Sequence, residues 1–263
     1  MRLVTLGTAG WVPTERRETT CLALRHDATL IVFDAGTGLR RLLTPVGQKL
    51  LAGVECVDLV LTHYHLDHVC GLAYLPAVLA GRGLTVHAPA AAVNGTDPER
   101  ALAELIRPPY NPGPWSEWRG IVVHELGPGD NEVAGHTLRL RPQKHPGTSA
   151  GYRLDDLFAL ATDTGPDEET ATFAQGVALL AHECWYNADD PATNAVHGSL
   201  LPSFRAHSEA GAVAALAGRA EVGRLLLMHL NPLFDEQYYG RLRERARRSF
   251  ADTLLVPDES VIE

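Results

Sequence analysis

No apolar run in this sequence approaches the roughly 20 residues that span a bilayer, so a membrane partner is not expected. The opening residues, Met1 to Gly10, hold no usable signal-peptide core and read instead as a strand and a glycine turn. Cysteine is scarce. Cys21, Cys56, Cys70 and Cys184 are scattered, with no CxxC spacing, which argues against a disulfide framework and fits buried thiols in a reducing compartment. A cytoplasmic location follows as the expectation. Positive charge is also short. The formal net charge of −9 disfavours generic nucleic-acid binding through a basic surface, although a local basic patch remains compatible with it. Nothing marks a flexible linker, so residues 1–263 are expected to form one domain, and 45 % hydrophobic content is ample for its core.

Histidine, by contrast, is plentiful, and its twelve copies exceed what acid–base catalysis alone would need. Three of them fall in Leu61-Thr62-His63-Tyr64-His65-Leu66-Asp67-His68. The apolar run Val57 to Leu61 before it reads as a buried strand. The apolar stretch from Val69 to Ala80 after it, closed by Gly81, reads as a helix. The polar group therefore sits at a strand-to-helix junction. His63 and His65 are two apart and point the same way in extended backbone, whereas Asp67 and His68 are adjacent and point differently. Two pairs of ligands suit two neighbouring metal ions, and neutral imidazole is the commonest metal ligand.

The remaining strands are expected at Leu3 to Leu6, Thr20 to Leu24, Thr29 to Phe33, Leu84 to Pro89, Ile121 to Leu126 and His136 to Arg141. Gly151 to Leu154 and Leu157 to Asp163 form a hairpin, and Val177 to Ala181, Arg224 to Met228 and Thr253 to Val256 complete the set. A helix is expected from about Leu39 to Leu51, interrupted near Pro45 and Gly47. Pro98 to Ile106, His207 to Gly218 and Asp235 to Phe250 are further helices. Gly127 to Asp130 reads as a turn. Asp34 ends a buried strand as an anion facing the free backbone N–H groups of a glycine turn, where it could cap that turn. His145, Asp163 and His229 each follow an apolar run immediately, the position from which a sheet edge offers side chains to a cleft. Arg107 to Trp118, with its prolines and aromatics, cannot be regular structure and has the character of a lid or substrate wall. Two similar runs of strands, each ending in helices, suggest two sheets packed face to face with helices outside. From the residues alone this is a mixed α and β fold.

The run Thr62 to His68, THYHLDH, resembles the His-X-His-X-Asp-His signature of the metallo-β-lactamase superfamily, and Phe33 to Gly38, FDAGTG, resembles it too. Gly7 to Gly10 with Val12 to Thr14, Gly151 to Leu154, and Glu183 with His207 to Ala210 look like the ribonuclease Z branch. The resemblance implies an α+β protein, an αββα four-layer sandwich of two mixed sheets with outer helices. It implies His63, His65 and His145 at one metal, Asp67, His68 and His229 at the other, and Asp163 bridging. Two Zn²⁺ are the family expectation, while Mn²⁺ or Fe would suit the same sulfur-free donors. Asp67 would also orient the attacking hydroxide. A histidine at the His207 position protonates the leaving group, assisted by a glutamate like Glu183, with His197 a rival for that role.

One departure matters. tRNA-maturing members carry an arm between the third histidine and the bridging aspartate, but His145 and Asp163 are joined by little more than one hairpin. Binding of a whole tRNA is therefore not expected. An armless relative is the phosphoribosyl cyclic phosphodiesterase of phosphonate breakdown, although its cysteine-rich N-terminal segment is absent here. The expected function is a dinuclear metal hydrolase of small phosphodiesters or nucleotides. Hydrolysis of a lactone, thioester or β-lactam, ribonuclease Z-type 3′-end cleavage, and a non-catalytic carrier are the alternatives. Tyr110, Trp115 and Trp118 would stack a base, Arg16 and Arg17 would meet a phosphate, and a homodimer is compatible with this reading.

Overall fold

The computed structural model describes residues 1–193 and 207–263. β1 (Arg2–Gly7), β2 (Cys21–His26) and β3 (Thr29–Phe33) form an antiparallel meander. β4 (Cys56–Val60), β5 (Gly83–Pro89) and β6 (Ile121–Leu126) extend it in parallel from β3. The second sheet begins with an antiparallel run of β7 (Gly129–Val133), β8 (His136–Pro142), β9 (Ala150–Leu154) and β10 (Phe158–Ala161). Parallel strands β11 (Leu179–Glu183), β12 (Arg224–Met228) and β13 (Thr253–Leu254) continue it. A two-residue strand, β14 (Val261–Ile262), returns to close the first sheet beside β1. That last strand is too short to carry a periodic signal, and it went unread in the sequence.

The two sheets bury one shared apolar layer. Leu22, Leu24, Ile31, Phe33 and Val60 of the first meet Tyr152, Leu154, Phe158, Ala181 and Met228 of the second. Phe33 sits at the centre, its ring 5.1 Å from Phe158 and 6.4 Å from Tyr152. Strands buried on both faces, such as Leu179–Glu183, read as continuous runs, whereas β8 alternates because one of its faces is solvated. On the far side of the first sheet lie α1 (Pro45–Leu51), α2 (Leu66–Val69), α3 (Leu75–Leu79) and, after the short α4 (Ala91–Asn94), whose Val93 enters the layer between the sheets, α5 (Pro98–Leu105), with Leu50, Leu72, Val78 and Leu102 in its core. The second sheet is covered by α6 (Glu168–Phe173), α7 (Ala210–Arg219) and α8 (Glu236–Arg247), through Ala171, Val213, Ala217, Tyr239 and Leu242. This is the αββα sandwich, helices outside two mixed sheets.

Helix starts follow capping chemistry. Thr44, Asp97, Asp167, Glu209 and Asp235 each accept a first-turn N–H of α1, α5, α6, α7 and α8, worth about 1 kcal/mol apiece. Two expected helices are redrawn. The stretch from Val69 to Ala80 is not one helix but α2, a 3₁₀ turn over Cys70–Tyr74, and α3. A Cβ on Gly71 would lie 2.2 Å from the Gly36 carbonyl oxygen, so the backbone there is pressed against the first sheet's turn. Pro76 then opens α3, where its missing N–H costs nothing. The stretch from Leu39 to Leu51 divides likewise into a 3₁₀ segment, Thr37–Leu43, and α1. Gly129 and Asp130, expected in a turn, already belong to β7.

Candidate metal centre

Parallel strands present their carboxyl ends along one edge of each sheet, and chemistry collects there in α/β architectures. Phe33 pairs with Val60, so Asp34 and Leu61 emerge side by side. In the other sheet Ala161 pairs with His182 and Glu183 with Met228, so Asp163, Glu183 and His229 emerge together. Two bonds tie the sheets at this edge: Tyr152 Oη donates to the Leu61 carbonyl (2.7 Å), and the Ala150 N–H to the Thr62 carbonyl (3.0 Å).

Every residue read from the sequence as a metal ligand arrives at this edge. His63, His65, His145 and Asp163 converge in one group, and Asp67, His68 and His229 in another. Asp163 stands between them: Oδ1 faces His145 Nε2 (3.5 Å) and His63 Nε2 (3.9 Å), while Oδ2 faces His68 Nε2 (3.0 Å) and His229 Nε2 (3.2 Å). Asp67 Oδ2 lies 3.4 Å from both His68 Nε2 and His229 Nε2. His63 Nε2 and His68 Nε2 are buried yet make no hydrogen bond among the described residues. Buried imidazole nitrogens aimed at shared carboxylates, with no sulfur nearby, fit divalent metal ions.

The supports behind these side chains fix which atoms face inward. Asp34 Oδ2 holds His68 Nδ1 at 2.8 Å, and its Oδ1 accepts the Thr62 N–H at 2.7 Å. Thr62 Oγ1 contacts His63 Nδ1 at 3.0 Å. Each of these imidazoles is thereby anchored by Nδ1 and offers Nε2, the usual outer support of a metal histidine. His65 has the opposite orientation, with Nδ1 3.3 Å from His145 Nε2. Backbone strain gathers here as well. Trp11, Asp34, Asp163 and His229 all have left-handed φ, between 48° and 62°, a conformation that is costly for non-glycine residues and clusters at functional sites. Gly10 has to be glycine, because a Cβ would lie 2.5 Å from the His229 ring.

Electrostatics divide the histidines. Burial, with His68 nearby, pushes His63 well below its ordinary value, and burial takes His145 down to about 4. Both shifts favour the neutral imidazole, the state that binds metal. Burial also disfavours charge on His68 and His229, but the carboxylates outweigh it: Asp163 leads in raising both, and His229 reaches about 10. Burial works against ionising Asp67 and Asp163 too, yet the surrounding histidines hold both well below the usual carboxylate range. The carboxylates and the His68 and His229 imidazoles thus favour one another's charged forms across the centre.

Glu183 and His207, read as the proton-donor pair, stand beside the group. His207 Nδ1 is 2.6 Å from Glu183 Oε2, whose partner oxygen Oε1 accepts the Ser208 N–H (2.9 Å). Burial raises Glu183, but His207 and His229 overcome that and bring it to about 2. His207 also offers a nitrogen within 4.8 Å of the ligand atoms of Asp163 and His229. It precedes α7 rather than opening it, since Glu209 is the cap. His197, the rival donor, lies outside the described residues.

Around these groups is a cleft of about 440 Å³, lined by Trp11, Val12, Leu66, Pro146 and Trp185 besides the site residues. None of these five was read as a cleft residue. Trp185 stacks on His207, with ring centroids 4.3 Å apart and an angle of 19°. The expected walls are elsewhere. Trp115 is buried in the core behind the first sheet, Trp118 packs against it, and Tyr110 is 79 % exposed. The segment from Arg107 to Trp118 does not line the cleft. Arg17 is buried, bonded through Nε and Nη2 to Glu236 (2.7 Å each) and through Nη1 to Thr8 and the Val256 carbonyl, so it is committed to the scaffold. Arg16 faces a separate surface hollow with Phe234 and Gln237.

An αββα sandwich with a histidine–aspartate cluster at the strand ends defines a metallohydrolase. Residues 29–230 match the family described as the β-lactamase superfamily domain, and the chain belongs to the metallo-β-lactamase superfamily. It is 26 % identical to ribonuclease BN of Escherichia coli O1:K1 / APEC, covering 99 % of both chains. That aligned stretch of 321 residues exceeds this chain's 263, so it crosses segments of the relative that have no counterpart here. Among solved structures it is similar to the metallo-β-lactamase fold protein YhfI from Bacillus subtilis (TM-score 0.74, 18 % identity, covering 99 % of this chain and 98 % of that one). It is also similar to the short form of human tRNase Z (TM-score 0.65, 17 % identity, covering 100 % and 99 %). No helix among the described residues is long and apolar enough to cross a membrane.

Proposed function

We propose that this protein is a metal-dependent phosphodiesterase that hydrolyses small phosphodiesters or nucleotides. His63, His65 and His145 would hold one ion, Asp67, His68 and His229 a second, and Asp163 both; zinc suits these donors, as do manganese and iron. When bound, such a pair supplies an activated water and charge stabilisation for in-line displacement at phosphorus. Asp67, held by the Trp11 N–H at 2.7 Å, orients that water. The observation that carries the reading is the 2.6 Å contact between His207 and Glu183. With Nδ1 held by the carboxylate, Nε2 is left to give its proton to the departing alkoxide as the P–O bond breaks, and Glu183 steadies the imidazolium beforehand. A thioester, whose thiolate departs without a proton, has less need of this pair.

Substrate size follows from what surrounds the site. One hairpin, β9 to β10, joins His145 to Asp163, and neither lysine nor arginine lines the cleft among the described residues. A folded RNA would have little to grip, because phosphate contacts dominate nucleic-acid affinity. The similarity to ribonuclease BN keeps RNA 3′-end cleavage as the second reading. A substrate panel decides: bis(4-nitrophenyl) phosphate and 2′,3′-cyclic nucleotides should turn over, and precursor tRNA should not. Turnover confined to lactones or thioesters would overturn the chemistry, and specific precursor cleavage at low enzyme concentration would overturn the size limit.

A further inference from the structure

We infer that Arg17 and Asp258, which do not line the cleft, are positioning residues for one ion only, the ion at Asp67, His68 and His229. The inference rests on the two-ion reading above and adds that the two sites are supported separately. Asp67 and His229 are both held by one short stretch, Thr8 to Trp11. The Trp11 N–H donates to Asp67 Oδ2 at 2.7 Å. The Leu230 N–H donates to the Thr8 carbonyl, and the Gly10 N–H to the Leu230 carbonyl, at 2.9 Å each, which fixes the backbone next to His229. The His229 ring itself lies against Gly10, where a Cβ would come within 2.5 Å. The other group draws its support elsewhere. His63 rests on Thr62, and the loop carrying His145 is tied to Thr62 through the Ala150 N–H.

That stretch is a strained turn, with Trp11 at φ 62°, and such backbone persists only where its surroundings over-determine it. Thr8 Oγ1 is the point of attachment: it donates to Asp258 Oδ1 at 2.7 Å and accepts from Arg17 Nη1 at 2.8 Å. Arg17 Nη1 also reaches the Val256 carbonyl at 2.8 Å, while Nε and Nη2 grip the two oxygens of Glu236 at 2.7 Å each. Asp258 Oδ2 takes the Glu18 N–H at 2.7 Å, with Arg41 Nη2 3.4 Å away. The segment from Val256 to Asp258 and the start of α8 therefore clamp both ends of the loop from Thr8 to Glu18. Thr8, Arg17 and the Asp258 side chain are buried, so water does not replace a bond lost among them. Loosening this clamp frees Gly10 and the Trp11 N–H to leave His229 and Asp67, and metal ligands tolerate displacements of only about half an ångström.

Zinc release from the Zn²⁺-loaded protein to a chromogenic chelator tests this, with both affinities fitted. Arg17→Gln and Thr8→Val should weaken one ion about tenfold, the lower end of the range for supports behind metal ligands, and leave the other within about twofold. A His229→Ala background, expected to keep only the ion at His63, His65 and His145, identifies which ion responds. Adding Thr8→Val there should change the affinity by no more than about twofold. Arg141→Gln, which breaks contacts to Asp167, Glu169 and Thr170 elsewhere in the fold, is the control for general destabilisation. It should lower stability to urea without separating the two ions. Where Arg17→Gln folds poorly, Thr8→Val decides. Equal weakening of both ions, no weakening of either, or a response of the ion left in His229→Ala would overturn the inference while the two-ion reading stands. Wild-type protein that loads fewer than two ions would overturn that reading, and the inference with it.

Discussion

Glu183 and His207 are 24 residues apart in sequence, yet the 2.6 Å contact between Oε2 and Nδ1 makes them one unit. The other Glu183 oxygen is fixed by the Ser208 N–H, and Trp185 covers the His207 ring. The imidazole is therefore held at its edge by the carboxylate and on its face by the indole, with one nitrogen left for the cleft. His207→Ala is predicted to lower turnover of alkyl phosphodiesters by roughly 10²–10⁴. Its effect should shrink for nitrophenolate leaving groups, which depart without a proton. Glu183→Gln should give a smaller loss of the same pattern. Steady-state rates across a leaving-group series, with metal content measured for each variant, check this. Equal losses on every leaving group would remove His207 from the role.

Asp163 faces two groups of histidines, one with each oxygen. Close to two transition-metal ions per chain are expected in the purified protein. Asp163→Ala removes the shared donor and is predicted to lower that content to one or none, with activity lost. Elemental analysis of wild type and variant is the measurement. Activity that survives complete chelation would end the metal reading.

Asp34 acts from behind. It touches His68 Nδ1 at 2.8 Å and two groups of Thr62, whose hydroxyl reaches His63 Nδ1. Asp34→Asn keeps the shape but weakens the hold on the His68 tautomer. Metal affinity should fall about 10- to 100-fold, the usual range for such supports, which competition with a chromogenic chelator reports. Unchanged affinity would make Asp34 a turn residue only.

How much of this was legible depended on how local the signal was. His63, His65, Asp67 and His68 share one short motif whose spacing fixes their pairing. His145, Asp163 and His229 were readable because each follows the end of a strand, half-solvated β8 for His145 and the buried β10 and β12 for the other two. The cleft walls were not, because Trp11, Leu66 and Trp185 come from three distant turns and meet only in the folded chain. Composition also misled. The aromatics of Arg107 to Trp118 signal that something is packed, but not whether substrate or core packs against them, and Trp115 went to the core. Arg17 looked free for a phosphate because its partner, Glu236, lies 219 residues away.

The C-terminal segment contributes a carboxylate that ought to make stability depend on pH. Asp258 accepts from Thr8 Oγ1 and from the Glu18 N–H, at 2.7 Å each, and Arg41 Nη2 lies 3.4 Å away. Burial nevertheless dominates these partners and pushes the group up to about 6. Between about pH 4 and 6 the folded chain keeps a proton here that the unfolded chain has released. Its contribution is therefore complete below about pH 4 and lost as pH rises through 6, amounting to about 3 kcal/mol at most. Asp167 works in the opposite sense: burial would raise it, but hydrogen bonds from Thr170 together with Arg141 hold it low, so its contribution is lost toward acid. The two can be separated by mutation. Asp258→Asn should remove the decline between pH 4 and 6 and leave the acid limb intact. Urea unfolding of wild type and variant across about pH 4 to 7 gives the difference directly. A wild-type minus variant curve that is flat, or that rises with pH, would show that the Arg41 and Glu18 contacts hold Asp258 ionised despite its burial.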